Sequence, residues 1–113
     1  MPQYIYYLKP KIDYINFLKN KLKNYEFYCI KVKIGTQHSK EFFNLNNVVI
    51  TSSFRHNFDQ IKCYAIFMKN CGSFYKAKSF ETDFELNIFI KCLKCGSVFD
   101  NEEKFNFHKN YCY

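Results

Sequence analysis

Two hydrophobic periods alternate along this chain. Ile12, Ile15, Leu18 and Leu22 recur at helical spacing, with lysines and asparagines opposite, and Pro10 stands where a helix can begin. That predicts a helix over 12–22. From Tyr25 the period becomes two. Tyr28, Ile30, Val32 and Ile34 fall on one face of a strand and Lys31 and Lys33 on the other, up to Gly35. Ahead of the helix, YIYYL (4–8) is aromatic and β-prone. EFFNL, then NN, then VVITSSF predicts a hairpin from 41 to 54. IKCYAIFMK (61–69) reads as a strand, NCG as a turn and SFYKAKSF (73–80) as the return strand. FELNIFI (84–90) fits either period, and we read it as a short helix leading into the terminal segment. The expected architecture is α+β. One helix lies on a mostly antiparallel sheet in a body of residues 1–89, followed by a cysteine–histidine unit at 90–113.

Composition adds a bias toward anionic partners. The formal net charge is +7 over 113 residues, and of the 17 basic residues only Arg55 is an arginine. Such a balance favours polyanions or acidic protein surfaces. The aromatic share, 21% without a tryptophan, supplies material for a core and for stacking surfaces. The first residues, MPQYIYYLKPK, lack the charged-then-apolar order of a secretory signal, and no apolar run reaches the length of a membrane span. A cytoplasmic protein is therefore expected, with the nucleus as the other compartment and no membrane partner. No Gly-rich phosphate loop, serine elbow or carboxylate dyad marks an enzyme, and no small-molecule substrate is expected.

The cysteines change the picture. Three of the six fall in CLKCGSVFDNEEKFNFHKNYC, residues 92–112. Cys92 and Cys95 are separated by two residues, Cys95 and His108 by twelve, and His108 and Cys112 by three. A two-residue gap lets a tight turn aim both thiolates at one ion, and a gap of three puts two ligands on one helix face. Cys92, Cys95, His108 and Cys112 thus form a candidate four-ligand site for one zinc ion. Four protein ligands leave no open position for a substrate or water, so the expected role is structural. Cys29, Cys63 and Cys71 carry no second such pair and read as ordinary thiols, and His38 and His56 fall in expected loops.

This segment resembles the C2H2-type zinc finger family in its C2HC variant. Beyond the ligands, Ile90, Phe99 and Phe105 stand where that family places its mini-core. Asp100 and Glu103 stand as a capping box at the expected helix start. The resemblance implies a ββα finger over 90–112. It also implies that the outward positions of the helix, Asn101, Lys104 and Phe107, with Glu103 between, face a partner. Phe107 departs from the polar side chains usual there. One finger reads about three base pairs, too few to select a genomic site alone.

Asn101, Lys104, Phe107 and Tyr111 form one stripe suited to stacking on unpaired bases, or equally to packing against the body. Lys31 with Lys33, and Lys76 with Lys78, alternate onto sheet faces and supply candidate phosphate contacts. Together these features predict a small basic zinc-finger protein that binds RNA within a ribonucleoprotein. Its concrete form is a ribosome-associated protein or ribosome-silencing (hibernation) factor. The alternatives are a protein–protein adaptor subunit of a transcription or viral assembly, and a DNA-binding regulator.

Overall fold

Period-two segments dominate the fold. The computed structural model describes residues 2–44 and 48–112. In chain order the elements are β1 (Pro2–Pro10), α1 (Ile12–Lys21), β2 (Tyr25–Ile34), β3 (Lys40–Phe42), β4 (Val48–Ser52), β5 (Ile61–Lys69), β6 (Phe74–Lys78), β7 (Phe84–Cys92), β8 (Val98–Phe99) and α2 (Glu102–Lys109). The strands form two four-stranded antiparallel sheets, ordered β4-β1-β7-β8 and β3-β2-β5-β6.

This overturns the α+β expectation of one helix on a single sheet with an appended ββα finger. The described chain is mostly β, with eight strands in two antiparallel sheets and two short helices. Two local readings account for the difference. Residues 84–90 are not helical but belong to β7, which runs unbroken to Cys92. Phe84, Ile90 and Cys92 are buried on one face, while Glu85, Asn87, Phe89 and Lys91 alternate with the inward set. Phe89 on the outer face blurred that alternation in the sequence. The expected 41–54 hairpin does not form either. β3 pairs with β2 and β4 pairs with β1, so neighbouring strands enter different sheets. The Asn46–Asn47 turn lies outside the described residues.

β1 is an inner strand with a partner on each side, β4 and β7, both distant in sequence. Tyr6 stands opposite Ile50 on β4 and Ile88 on β7. The inward residues of both sheets and of α1 make one core. Tyr6, Leu8, Val48 and Ile50 meet Ile30, Val32, Ile34, Ile61, Ala65 and Phe67, with Tyr14, Leu18 and Leu22 from the helix. Tyr6 is fully buried, and its hydroxyl donates to the Phe54 carbonyl (2.8 Å) and accepts the His56 N–H (2.6 Å).

β2 carries a bulge between Phe27 and Cys29. Before it the inward residues are Tyr25 and Phe27, and after it Ile30, Val32 and Ile34. The extra residue is Tyr28. The sequence pattern placed it with Ile30, Val32 and Ile34, but it faces outward and touches Phe43 and Phe74.

A second, smaller core of Ile90, Cys92 and Phe105 lies at the far end of β7, with Tyr4, Phe99 and Cys112 against it. The molecule is accordingly elongated, 57 × 25 × 21 Å. Among the described residues, no helix is long and apolar enough to cross a membrane.

Candidate functional site

The end of β7, the β7–β8 turn and α2 bring Cys92, Cys95, His108 and Cys112 together, all four ligand atoms within 4.8 Å of one another. Local backbone chemistry builds the first half. Gly96, at φ 77, makes the turn that an L-residue with a side chain rarely adopts. Its N–H donates to the Cys92 carbonyl (2.8 Å), and the Cys92 N–H donates to the Ser97 carbonyl (2.9 Å). The second half is one helical turn, in which the Cys112 N–H donates to the His108 carbonyl (3.0 Å).

The distances suit a tetrahedral ion. Two sulfurs on one zinc stand about 3.8 Å apart, and a sulfur and a nitrogen about 3.6 Å. Cys92 Sγ lies 3.8 Å from Cys112 Sγ, and Cys95 Sγ lies 3.2 Å from His108 Nε2. The electrostatics agree. Hydrogen bonding with the Ser97 side chain and with its backbone N–H brings the Cys95 thiol down to about 6. The N–H groups of Cys95 and Lys94 lower Cys92. Burial, then the neighbouring sulfurs, push Cys112 up to about 11. His108 is raised by its hydrogen bonds to the sulfurs, that to Cys92 first. Three sulfurs this close repel one another as thiolates, and a single divalent cation removes that conflict. These four side chains could hold one metal ion.

Comparisons with protein-family models, with curated proteins and with solved structures find no match. The chain's own geometry therefore carries the functional argument.

Phe99 and Phe105 wall the four-ligand cluster, with ring centroids 6.0 Å apart, and Phe99 lies 4.8 Å from the His108 ring. The N-cap of α2 is Asn101, not the expected Asp100. Asn101 Oδ1 accepts the Lys104 N–H (2.8 Å), while Asp100 pairs with Lys104 Nζ (3.0 Å) and is held below the ordinary carboxylate range by that contact. Asn101 and Lys104 thus already have partners within the chain. Phe107 and Tyr111 are 67% and 66% exposed, with ring centroids 5.0 Å apart, so that part of the stripe faces water and not the body. Glu102 ties the helix start to Arg55 at 2.8 Å.

The four strand lysines from the sequence come together. Tyr75 and Ala77 pack inward on the main core, so Lys76 and Lys78 point outward on β6. Lys31 and Lys33 likewise alternate with buried Val32 and Ile34 on β2. The ladder aligns them: Lys31 is opposite Tyr64 on β5, Tyr64 is opposite Lys78, and Lys33 is opposite Lys62. Sequence reasoning missed Lys62 and Tyr64, although the alternation in IKCYAIFMK puts both on one face. Lys76 Nζ sits 4.1 Å from the Tyr64 ring centre. Among the described residues the ion pairs are Arg55–Glu102 and Lys104–Asp100, and neither engages these five lysines.

Elsewhere on the molecule the other lysine, cysteine and histidine side chains are dispersed. Lys21 lies over Phe17 and Tyr75, with Nζ 5.7 and 5.3 Å from the ring centres. Cys29 and Cys63 are buried, Cys71 is exposed, and His56 packs beside Gly35 and Tyr6.

Proposed function

We propose that this chain is a zinc-stabilised RNA-binding protein, with the metal structural and the outer face of the second sheet as the phosphate-binding surface. Three thiolates and an imidazole at tetrahedral spacing favour zinc over harder, oxygen-seeking ions. All four donors come from the chain, so the ion braces the β7–α2 corner and has no open position for chemistry.

The observation that carries the RNA reading is the gathering of Lys31, Lys33, Lys62, Lys76 and Lys78 from three adjacent strands around Tyr64, with Glu41 opposite Lys31 on β3 but no ion pair to these lysines among the described residues. Five ammonium groups on one face repel each other in isolation, and a polyanion relieves that repulsion. The exposed pair Phe107 and Tyr111 on α2 gives a second, smaller contact surface.

The test is a charge reversal. Lys31→Glu with Lys78→Glu should abolish binding to a labelled RNA while the metal content stays at one equivalent. Unchanged affinity in that double variant, or no RNA binding by the parent protein, contradicts the reading. A ribosome-associated role is its concrete form, and co-sedimentation with ribosomal particles from native cells tests that step.

The adaptor alternative draws on the outer face of the first sheet. There Tyr7, 41% exposed, meets Phe89 edge-on at 5.2 Å, beside Val49, 40% exposed. A partner held there would associate with little dependence on salt.

A further inference from the structure

The outer face of the second sheet has two ends. The lysines occupy one, and a group of exposed rings occupies the other. Tyr28 is turned outward by the bulge in β2 and is 40% exposed. Phe43 and Phe74, 64% and 60% exposed, stand edge-on to it at 5.8 and 5.6 Å. A bulge re-aims a side chain that the regular ladder would have pointed into the core. Along β6 the outward residues are Phe74, then Lys76, then Lys78, so rings give way to ammonium groups within about 13 Å of strand. Tyr64 stands within the lysine end, level with Lys31 and Lys78, with Lys76 poised over its ring, and Ile66 follows it toward the aromatic end.

We propose that this face binds unpaired RNA, with Tyr28, Phe43 and Phe74 stacking on splayed bases while the lysines hold the phosphates of the same strand. The inference rests on the RNA reading above and goes beyond it by choosing single strand over duplex. Paired bases are stacked on one another and offer their faces to nothing else, so exposed rings add no affinity for a helix. Unpaired bases can leave the stack and lie on aromatic side chains. Charge decides against an apolar protein anchor. Such an anchor would cover the rings but leave five ammonium groups beside it with only Glu41, opposite Lys31, set against them in the described ladder. Lys76 can exchange the Tyr64 ring for a phosphate as a base approaches, because both sites lie within reach of its flexible side chain.

The experiment uses the full, metal-loaded chain and fluorescence anisotropy. The probes are a labelled single-stranded RNA of about 12 nucleotides without self-complementarity, its duplex, and single-stranded DNA of the same sequence. Single-stranded RNA should bind more tightly than the duplex. Phe74→Ala and Tyr28→Ala should each weaken single-strand binding roughly 5- to 100-fold and leave duplex binding unchanged. Melting temperatures of both variants are measured alongside, and a fall in affinity counts only for a variant that melts with the parent protein. Equal or tighter duplex binding, or unchanged single-strand affinity in both variants, overturns the inference and leaves the phosphate-binding reading intact. DNA bound more tightly than RNA overturns the choice of RNA. Failure to bind any of the three probes overturns the reading beneath it.

Discussion

Tyr4 lies directly opposite Ile90 across the β1–β7 ladder and packs against both cores of the molecule. It marks where the large core ends and the metal-side cluster begins. Among the described residues that cluster buries Ile90, Cys92 and Phe105, too little apolar surface to hold a helix and a two-residue strand without further help. The metal should therefore supply the folding energy of this end. Chelation should expose the amides of β8 and α2 to exchange while β2 and β5 keep their protection. Cys95→Ser with His108→Ala should reproduce that pattern and lose the metal. Exchange rising equally across β2 and β5 would show that the two cores fold as one.

The six cysteines should separate by reactivity. The thiolate is the nucleophile, so a lowered pKa and exposure both raise alkylation rates. Cys71 is exposed and lowered by its hydrogen bond with Ser73, whereas burial raises Cys29 and pushes Cys63 up to about 12. With metal bound, iodoacetamide near neutral pH should label Cys71 alone, and faster as pH rises through its pKa. Chelation should add Cys92, Cys95 and Cys112. Cys29 and Cys63 should react only after unfolding. Early labelling of Cys63, read by peptide mass spectrometry, would contradict the burial assigned to it.

Phe107 offers a contrast between binding and stability. Its ring is 67% exposed and leans on Tyr111, so Phe107→Ala should shift stability by no more than about 0.5 kcal/mol. If α2 contributes to RNA binding, the same variant should lose one stacking contact, about 1–3 kcal/mol of affinity, with the metal retained. A lowered melting temperature with unchanged affinity would return the side chain to a packing role.

Tyr6→Phe should be costly despite its small change in volume. The hydroxyl is the partner of the Phe54 carbonyl and the His56 N–H, so its loss leaves both partly buried backbone groups without that partner. About 1–3 kcal/mol of stability should disappear, measured by denaturant unfolding. A smaller change would mean that water reaches the loop between β4 and β5.

The sequence shows the candidate metal site, the gathering of Cys92, Cys95, His108 and Cys112, more clearly than the fold. Ligand spacing is a local property, and the turn at Gly96 and one turn of α2 are enough to realise it. The helical period of Ile12–Leu22 and the alternation around Ile30–Ile34 also appear directly as α1 and β2. Strand partners are not local. Val48–Ser52 reads as the return arm of a hairpin, yet it joins β1, with paired residues 40 to 48 positions apart. Phe89 made β7 apolar on both faces, and its period became ambiguous. The bulge at Tyr28 is invisible to a strict count of two, and with it the outward cluster of rings. The lysines on β2 and β6 could be assigned to faces one strand at a time. Only the pairing of both strands with β5 shows that those faces are one surface with Lys62 and Tyr64 at its centre.

The salt dependence of RNA affinity tests the central claim most directly. Each phosphate neutralised on a single strand contributes about −0.7 to the slope of log K against log salt concentration, so engagement of most of the five lysines gives roughly −2 to −3.5. The account predicts a slope in that range for the intact protein, and a shallower one, by about 0.7, for Lys78→Ala. Affinity that does not change with salt, or a slope untouched by losing Lys78, would contradict it.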